Sequence, residues 1–289
     1  MKPWMLLLPL ATLGPPAAAQ TVHLNGAISV SSGSYLFAER TTTWGLITGV
    51  TVGSDRVALR AALPFYLQNT SLVSGSGVGR IPTGGSSSGA VGDSGAARKQ
   101  RGDGPGDHHV EPRLARRTVE VPGSAVTGYE AAAGDPDVAL TWKAVRTPGT
   151  SLALGASVKI PVTDTSTFGT GQWDAGAFLS VSRSVGRRLF LGVDVAYWRL
   201  GDLPDLELRD PVSGTVSLGY ADASGWGGSL VGSAATAVVE GFDGPASIGA
   251  ALTRVLSGRS SWSLLSLVGL TETSPDVTVG LSWSVRLSR

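Results

Sequence analysis

The sequence predicts an all-β protein, a transmembrane antiparallel β-barrel of about twelve strands. Segments of about ten residues alternate between apolar and small or polar side chains, and about ten residues is the length that a tilted strand needs to cross a bilayer. After residue 20, no stretch approaches the roughly 18 consecutive apolar residues of a transmembrane helix. Short turns alternate with longer loops, as on the two rims of an outer-membrane barrel.

The composition agrees with this fold class and excludes several functions. The chain has 289 residues, of which 40 are Gly, 42% are hydrophobic and only 16% are charged. It is therefore too apolar for a disordered protein and too rich in Gly for a helical one. A net charge of +1 gives no reason to expect a nucleic-acid partner. The absence of Cys excludes disulfides, thiolate metal sites and Cys nucleophiles.

The first nineteen residues read as a secretory signal peptide. Lys2 precedes a short apolar run, and small residues at positions 17–19 provide a cleavage site after Ala19. A membrane anchor is the weaker alternative because the apolar run is short and is interrupted by Pro9. We therefore expect export, followed by a barrel formed by residues 20–289 and inserted in the Gram-negative outer membrane.

The clearest strand is residues 151–162, where one face is apolar and the other is small, polar or charged. Residues 56–67 and 276–287 show the same alternation. A soluble β-protein with an apolar core is the alternative, but the polar faces carry Ser, Gly, Ala and Thr rather than the Lys and Glu of a water-exposed surface. The predicted strands are residues 27–38, 43–52, 56–67, 137–144, 151–162, 171–185, 188–200, 212–220, 226–239, 246–256, 262–270 and 276–287.

Aromatic residues recur near the predicted strand ends, where an interfacial girdle needs them. Gly-containing turns at residues 53–55, 147–149 and 186–187 fall on one rim, which places both ends of the barrel in the periplasm. The aromatic residues assigned to the girdle are Trp44, Tyr66, Trp142, Trp173, Tyr197, Trp198, Tyr220, Trp226, Trp262 and Trp283.

Residues 68–133 lack the strand pattern, and we expect a long, largely disordered external loop. His108 and His109 lie near acidic residues, but adjacent histidines in a flexible segment do not predict a metal site. The basic residues of this loop form either a solvated surface or a contact with lipopolysaccharide phosphates. They are Arg98, Lys99, Arg101, Arg113, Arg116 and Arg117.

Four charged residues are predicted to face the lumen and to tune its selectivity: Arg60, Lys159, Asp174 and Asp194. The alternative is that they pair with one another across the lumen. Without a His on any predicted strand, a Ser nucleophile would have no general base. We therefore expect neither an enzyme nor a cofactor.

Several stretches resemble, in the same order, segments of a family of proteobacterial outer-membrane barrels labelled as transporters or as proteins of the phenol-degradation meta-pathway. The resemblance implies a twelve-stranded barrel that carries small solutes of hydrophobic or aromatic character. In two respects the chain departs from the family: its long loop is longer and more basic, and its last residues are not aromatic, which bears on recognition by the barrel-assembly machinery. The stretches are Ala61-Ala62-Leu63-Pro64-Phe65, Gly134-Asp135-Pro136-Asp137-Val138, Lys159-Ile160-Pro161-Val162 and Gly169-Thr170-Gly171-Gln172-Trp173-Asp174.

The sequence thus predicts an outer-membrane channel that passes small solutes, in contact with outer-membrane lipid and lipopolysaccharide. The alternative function is a non-conducting barrel that acts as a structural or surface binding platform through residues 68–133.

Overall fold

The computed structural model describes residues 20–102, 118–121, 128–164 and 168–287, without the side chains of residues 98–102 and 257. The predicted signal peptide, the paired histidines and the basic residues 113–117 lie outside this part of the chain. Among the described residues, no helix is long and apolar enough to span a membrane.

The described chain forms a closed antiparallel barrel with twelve strand positions, which confirms the predicted fold class. β1 pairs with both β2 and β15 and so closes the wall. β6 and β7 share one position, because both pair with β3 on either side of a break at residues 134–136. In chain order the elements are β1 (Thr21–Gly33), β2 (Thr41–Gly53), β3 (Val57–Gln68), β4 (Val73–Ser76), β5 (Gly79–Pro82), α1 (Ser88–Gly102), β6 (Glu130–Ala133), β7 (Asp137–Thr147), β8 (Thr150–Lys159), β9 (Asp174–Val185), β10 (Leu189–Arg199), β11 (Val212–Ala221), β12 (Trp226–Ala235), β13 (Ala246–Ser257), β14 (Ser260–Gly269) and β15 (Val277–Arg286).

The wall strands form because their side chains alternate between lipid and lumen. In β3, Val57, Leu59 and Phe65 point outward and are exposed, whereas Tyr66 and Gln68 point inward. Large apolar side chains are exposed around the outer face of the whole barrel, an arrangement that lipid favours and water does not.

Aromatic side chains form part of the expected girdle on the outer face. The Trp226 and Trp262 rings meet edge to face with centroids 5.7 Å apart, and the Arg254 guanidinium lies 4.9 Å from the Trp226 centroid. Tyr66 and Trp198 are exceptions to the girdle prediction, because both line a cavity inside the barrel. Their positions near strand ends did not distinguish the two faces.

The connections divide between two rims. Connections of two to four residues, at 54–56, 148–149, 186–188, 222–225 and 258–259, form one rim, which we call the turn rim. The longer connections, at 34–40, 69–129, 160–173, 200–211, 236–245 and 270–276, form the opposite loop rim. In outer-membrane barrels the long loops face outward and the short turns face the periplasm.

The segment after β3 contains regular structure, in contrast to the expected disorder of residues 68–133. β4 and β5 form a hairpin, a 3-10 helix (Gly85–Ser87) follows, and α1 continues from it. This segment has too few apolar residues to fold alone, but Leu72, Ile81 and Val91 are buried against apolar residues of other loops. For residues 103–117 and 122–127, which are not described, disorder stays a prediction.

Four connections of the loop rim pack together into a hydrophobic cluster, which we call the loop core. Backbone bonds join its parts: Val119 N donates to Leu36 O at 2.7 Å, and Arg209 N donates to Val238 O at 2.8 Å. Two predicted strands are therefore shorter than expected, since residues 35–37 and 238–239 leave the wall to enter this core. The buried members are Tyr35, Leu36, Phe37, Leu72, Val73, Ile81, Val91, Val119, Leu200, Leu203, Leu206, Leu208, Val238, Val239 and Phe242.

Candidate functional site

The hairpin formed by β4 and β5, residues 73–82, lies inside the barrel near the loop rim, and we call it the lumen hairpin. Gly75 N donates to Phe168 O at 2.7 Å, and Gly77 N donates to Asp174 Oδ2 at 2.8 Å. A side chain at Gly77 would overlap the lumen-facing ring of Trp198. The absence of a Cβ therefore allows the hairpin tip to lie directly against the wall.

Two cavities adjoin the lumen hairpin. The first, of about 470 Å³, is lined by β2, β3 and β7 to β10 together with Gly75 and Gly77. The second, of about 450 Å³, is lined by β1 and β11 to β15 together with Val78 and Arg80. Since the hairpin contributes lining residues to both, it narrows the lumen between them.

The linings of the two cavities differ in chemistry. We call the first the aromatic cavity, because Tyr66, Phe168, Phe178 and Trp198 line it. The second is the hydroxyl cavity, because nine of its twenty lining residues are Ser or Thr. A solute in the lumen thus meets π surfaces in one cavity and hydrogen-bonding hydroxyls in the other.

Lys159, at the end of β8, is buried between two carboxylates. Its Nζ lies 3.2 Å from Asp135 Oδ2 and 3.3 Å from Asp174 Oδ2, and it donates to Thr170 Oγ1 at 2.5 Å. The side chains of Lys159, Asp135 and Asp174 are 7%, 3% and 1% exposed. We call these three residues the Lys159 cluster.

The Lys159 cluster joins three separate connections of the loop rim. Asp135 Oδ1 accepts bonds from the backbone N of Val162 and of Thr163, both at 2.9 Å. Asp174 holds Gly77 through Oδ2 and accepts from Gly201 N through Oδ1 at 3.2 Å. The cluster therefore fixes the lumen hairpin to the wall.

The four predicted lumen charges lie in two different settings. Lys159 and Asp174 are register partners on the neighbouring strands β8 and β9, so their pairing runs along the wall rather than across the lumen. Arg60 lines the aromatic cavity with its side chain 45% exposed, 3.4 Å from Asp137 Oδ2. Asp194 is also exposed and accepts a bond from Ser180 Oγ at 2.5 Å. The predicted influence of Arg60 and Asp194 on selectivity stays a prediction.

Arg80, on β5, is a site residue that the sequence interpretation missed. Its Nη2 donates to Gln68 Oε1 and, at 3.0 Å, to Val73 O, and its guanidinium lies 4.5 Å from the Tyr66 ring centroid. Burial lowers the pKa of Arg80. β4 and β5 have four residues each and lie in a Gly- and Ser-rich stretch, so no long alternating pattern marked them.

Comparison with known proteins identifies the fold. No protein-family model and no curated protein sequence matches the chain. Among solved structures, an outer-membrane channel from Pseudomonas putida F1 superposes with a TM-score of 0.63 at 11% identity, over 95% of this chain and 100% of that one. The fold is that of an outer-membrane channel. The NanC porin matches with a TM-score of 0.51 at 9% identity, over 92% of this chain and 100% of the porin.

The match to an outer-membrane channel over 95% of the chain agrees with the outer-membrane barrel fold that the sequence resemblance implied. Both proteins are named as a channel or a porin, and neither as an enzyme. At such low identity the likeness concerns the fold, so the solute must be inferred from the lumen of this chain.

Proposed function

We propose that this protein is an outer-membrane channel that passes small solutes through a lumen narrowed by the lumen hairpin. The observation that carries the proposal is the position of this hairpin, which lies between two cavities within a closed barrel. A twelve-stranded barrel lies between eight-stranded barrels, which side chains fill, and sixteen-stranded porins, which leave an open channel. Its lumen therefore suits single small solutes.

The proposed location is the Gram-negative outer membrane, reached by export through residues 1–19. The exposed apolar outer face and the division into a turn rim and a loop rim support this location. Lipid, lipopolysaccharide and the barrel-assembly machinery are the expected partners. The predicted contact of basic loop residues with lipopolysaccharide stays a proposal, since the side chains concerned are not described.

For the solute, we propose small molecules with an apolar or aromatic part. Ile47, Phe178 and Trp198 on the wall and Phe168 from a loop give the aromatic cavity its apolar surface. Aromatic side chains bind planar apolar groups through stacking and through the burial of apolar area. The Arg60 guanidinium on the same wall adds a polar contact.

Single-channel current in a planar bilayer tests the channel. The refolded wild-type protein is compared with a variant in which residues 73–82 are replaced by a short Gly-Ser linker. We expect discrete current steps from both proteins and a larger conductance from the variant, because the hairpin no longer narrows the lumen. The matched control is Gly232→Val, which adds a side chain to the wall at a position with no neighbour within 4 Å.

If both proteins fold and insert but conduct no current, the proposed channel is refuted. This outcome would favour the alternative of a non-conducting barrel that acts as a structural or binding platform through residues 68–133. The solute class is tested by adding phenol or glycerol to an open channel. Phenol is expected to interrupt the current, whereas glycerol is expected to leave it unchanged. Trp198→Ala should weaken the effect of phenol, and Trp283→Ala, which changes the outer face, should not.

A further inference from the structure

We propose that the outer face of the turn rim binds the headgroup phosphate of an anionic phospholipid, with Arg188 and Arg254 as its ligands. We call these two residues the arginine pair. The inference rests on the proposed location in the outer membrane, because it needs a lipid leaflet at the level of the turns. It does not depend on the solute or on either cavity of the lumen.

The two rims differ in charge. In the loop-rim connections outside residues 69–129, acidic residues outnumber basic ones by ten to two. The turn rim has the opposite excess, since six basic and two acidic residues lie in its connections or within three positions of them. Basic residues near a membrane surface attract anionic lipids. The basic residues are Arg56, Arg146, Arg183, Arg187, Arg188 and Arg259, the acidic ones are Asp55 and Asp222, and Arg254 lies one position further away.

The arginine pair lies on the lipid-facing side of this rim. Arg188 Nη1 donates to Tyr220 Oη at 2.8 Å, and Tyr220 is 42% exposed. The Arg254 guanidinium lies 4.9 Å from the ring centroid of its register partner Trp226, and its Nη1 donates to Ser224 O at 2.6 Å. Ser224 belongs to the turn between β11 and β12. The arginine pair thus flanks one hairpin, at the level where aromatic residues meet the lipid headgroups.

Both guanidiniums keep one edge free for a phosphate. In each residue Nη1 makes the bond within the protein, whereas Nε and Nη2 donate to no described residue. In the described part of the chain, no carboxylate oxygen lies within 4.0 Å of either guanidinium. The parallel N–H groups of such an edge match two phosphate oxygens.

One carboxylate, that of Asp222, lies in the turn between the two arginines. Its Oδ1 atom already accepts bonds from Ser224 N at 2.9 Å, from Ser224 Oγ at 2.6 Å and from Trp226 N at 3.1 Å. Asp222 therefore stabilises the turn, and two cations face one carboxylate. The remaining positive charge favours an anionic lipid such as phosphatidylglycerol over zwitterionic phosphatidylcholine.

The neighbouring wall accommodates an acyl chain. Gly228 presents no side chain to the lipid, and its register partners on the two adjacent strands, Tyr220 and Leu252, are 42% and 43% exposed. A Cβ at Gly228 would lie 3.8 Å from the backbone oxygen of Ala251 and would meet nothing closer among the described residues. A shallow apolar groove therefore begins beside the arginine pair, as a chain attached to a bound headgroup requires.

Native mass spectrometry of the refolded full-length protein in a neutral detergent tests the site. The probes are phosphatidylglycerol and phosphatidylcholine with the same acyl chains, at equal concentration. We expect the wild type to retain phosphatidylglycerol at least about tenfold more strongly, because each arginine at the surface adds attraction for an anionic lipid. The double variant Arg188→Gln, Arg254→Gln should lose this preference. The matched control is Arg40→Gln, Arg209→Gln, which removes two exposed cations from the loop rim and should keep it.

Equal retention of the two lipids by the wild type would overturn the proposal, as would a preference that survives in the double variant. Arg254→Lys separates geometry from charge, because it keeps the cation and removes the paired N–H edge. It should reduce the preference several-fold, and it decides if the double variant does not fold: an unchanged preference would overturn the proposed contact. Current in a planar bilayer is a separate readout. A channel that conducts without the lipid preference refutes the site alone, and a preference without current refutes the channel alone.

Discussion

Replacement of Lys159 by Met is the sharpest test of how the lumen hairpin is held. Met has a similar length, so the change removes the ammonium group with little change of volume. Asp135 and Asp174, 3% and 1% exposed, would then lose the cation that lies 3.2 and 3.3 Å from them. Two like charges would remain buried side by side in the wall.

The expected loss of stability is large. Removal of one partner from a buried ion pair costs about 3–5 kcal/mol, because the remaining charge is left uncompensated. With urea m-values of about 1–3 kcal/mol/M, this corresponds to a fall of at least about 1 M in the unfolding midpoint. The released Asp174 would also hold Gly77 less firmly, so we expect a higher conductance as well.

Urea unfolding in lipid or detergent, followed by tryptophan fluorescence, measures the effect. Lys143→Met is the matched control, since Lys143 lies on the lumen face of β7 and is exposed. It should change stability by no more than about 0.5 kcal/mol. Adding Asp174→Asn to the Lys159 variant should restore part of the loss. A loss below about 1 kcal/mol for Lys159→Met would refute the argument that the cluster fixes the hairpin.

Three further predictions concern single residues. Asp194→Asn should shift the reversal potential in a salt gradient toward anion selectivity, because it removes an exposed lumen carboxylate. An unchanged reversal potential would exclude Asp194 from the ion path. Gly77→Val should push the hairpin tip from Trp198 and alter single-channel conductance, and identical current traces would contradict the close contact. In the turn after β11, hydrogen bonds from Ser224 lower the pKa of Asp222 below its usual 3.8. The stabilisation by this carboxylate is therefore present at neutral pH and lost as the pH falls through the lowered pKa. The difference in urea midpoint between wild type and Asp222→Asn should vanish in strong acid. A difference that stays constant with pH would contradict this role of the Asp222 carboxylate.

The barrel wall was predictable because the bilayer imposes one rule on every strand. Each must alternate with period two over about ten residues, and a single window such as residues 151–162 carries that signal. Strand ends were less predictable. Residues 35–37 continue the apolar character of β1 but turn inward, since the loop core offers Tyr35, Leu36 and Phe37 a buried position.

The candidate site was predictable only in part. Alternation placed Arg60, Lys159 and Asp194 on the lumen face, but only the register of β8 against β9 brings Lys159 beside Asp174. Arg80 had no local signal, because its environment is formed by residues distant in sequence. The composition of residues 68–102 reflects only these residues themselves and carries no signal of the burial that other loops supply.

The position of the loop core in the sequence also has a consequence for folding. Its members extend from Tyr35 to Phe242, and most of the wall strands lie between them in sequence. We expect these loops to meet only after the wall strands between them have paired. Without the paired strands, joining two loops would close a long chain segment, and the entropy lost would exceed what the loop contacts return. We therefore expect the loop core to become native last and, because few of its residues belong to strands, to open first. If the loop rim faces outward as proposed, a protease added to intact cells is expected to cleave the loop core while the wall remains intact.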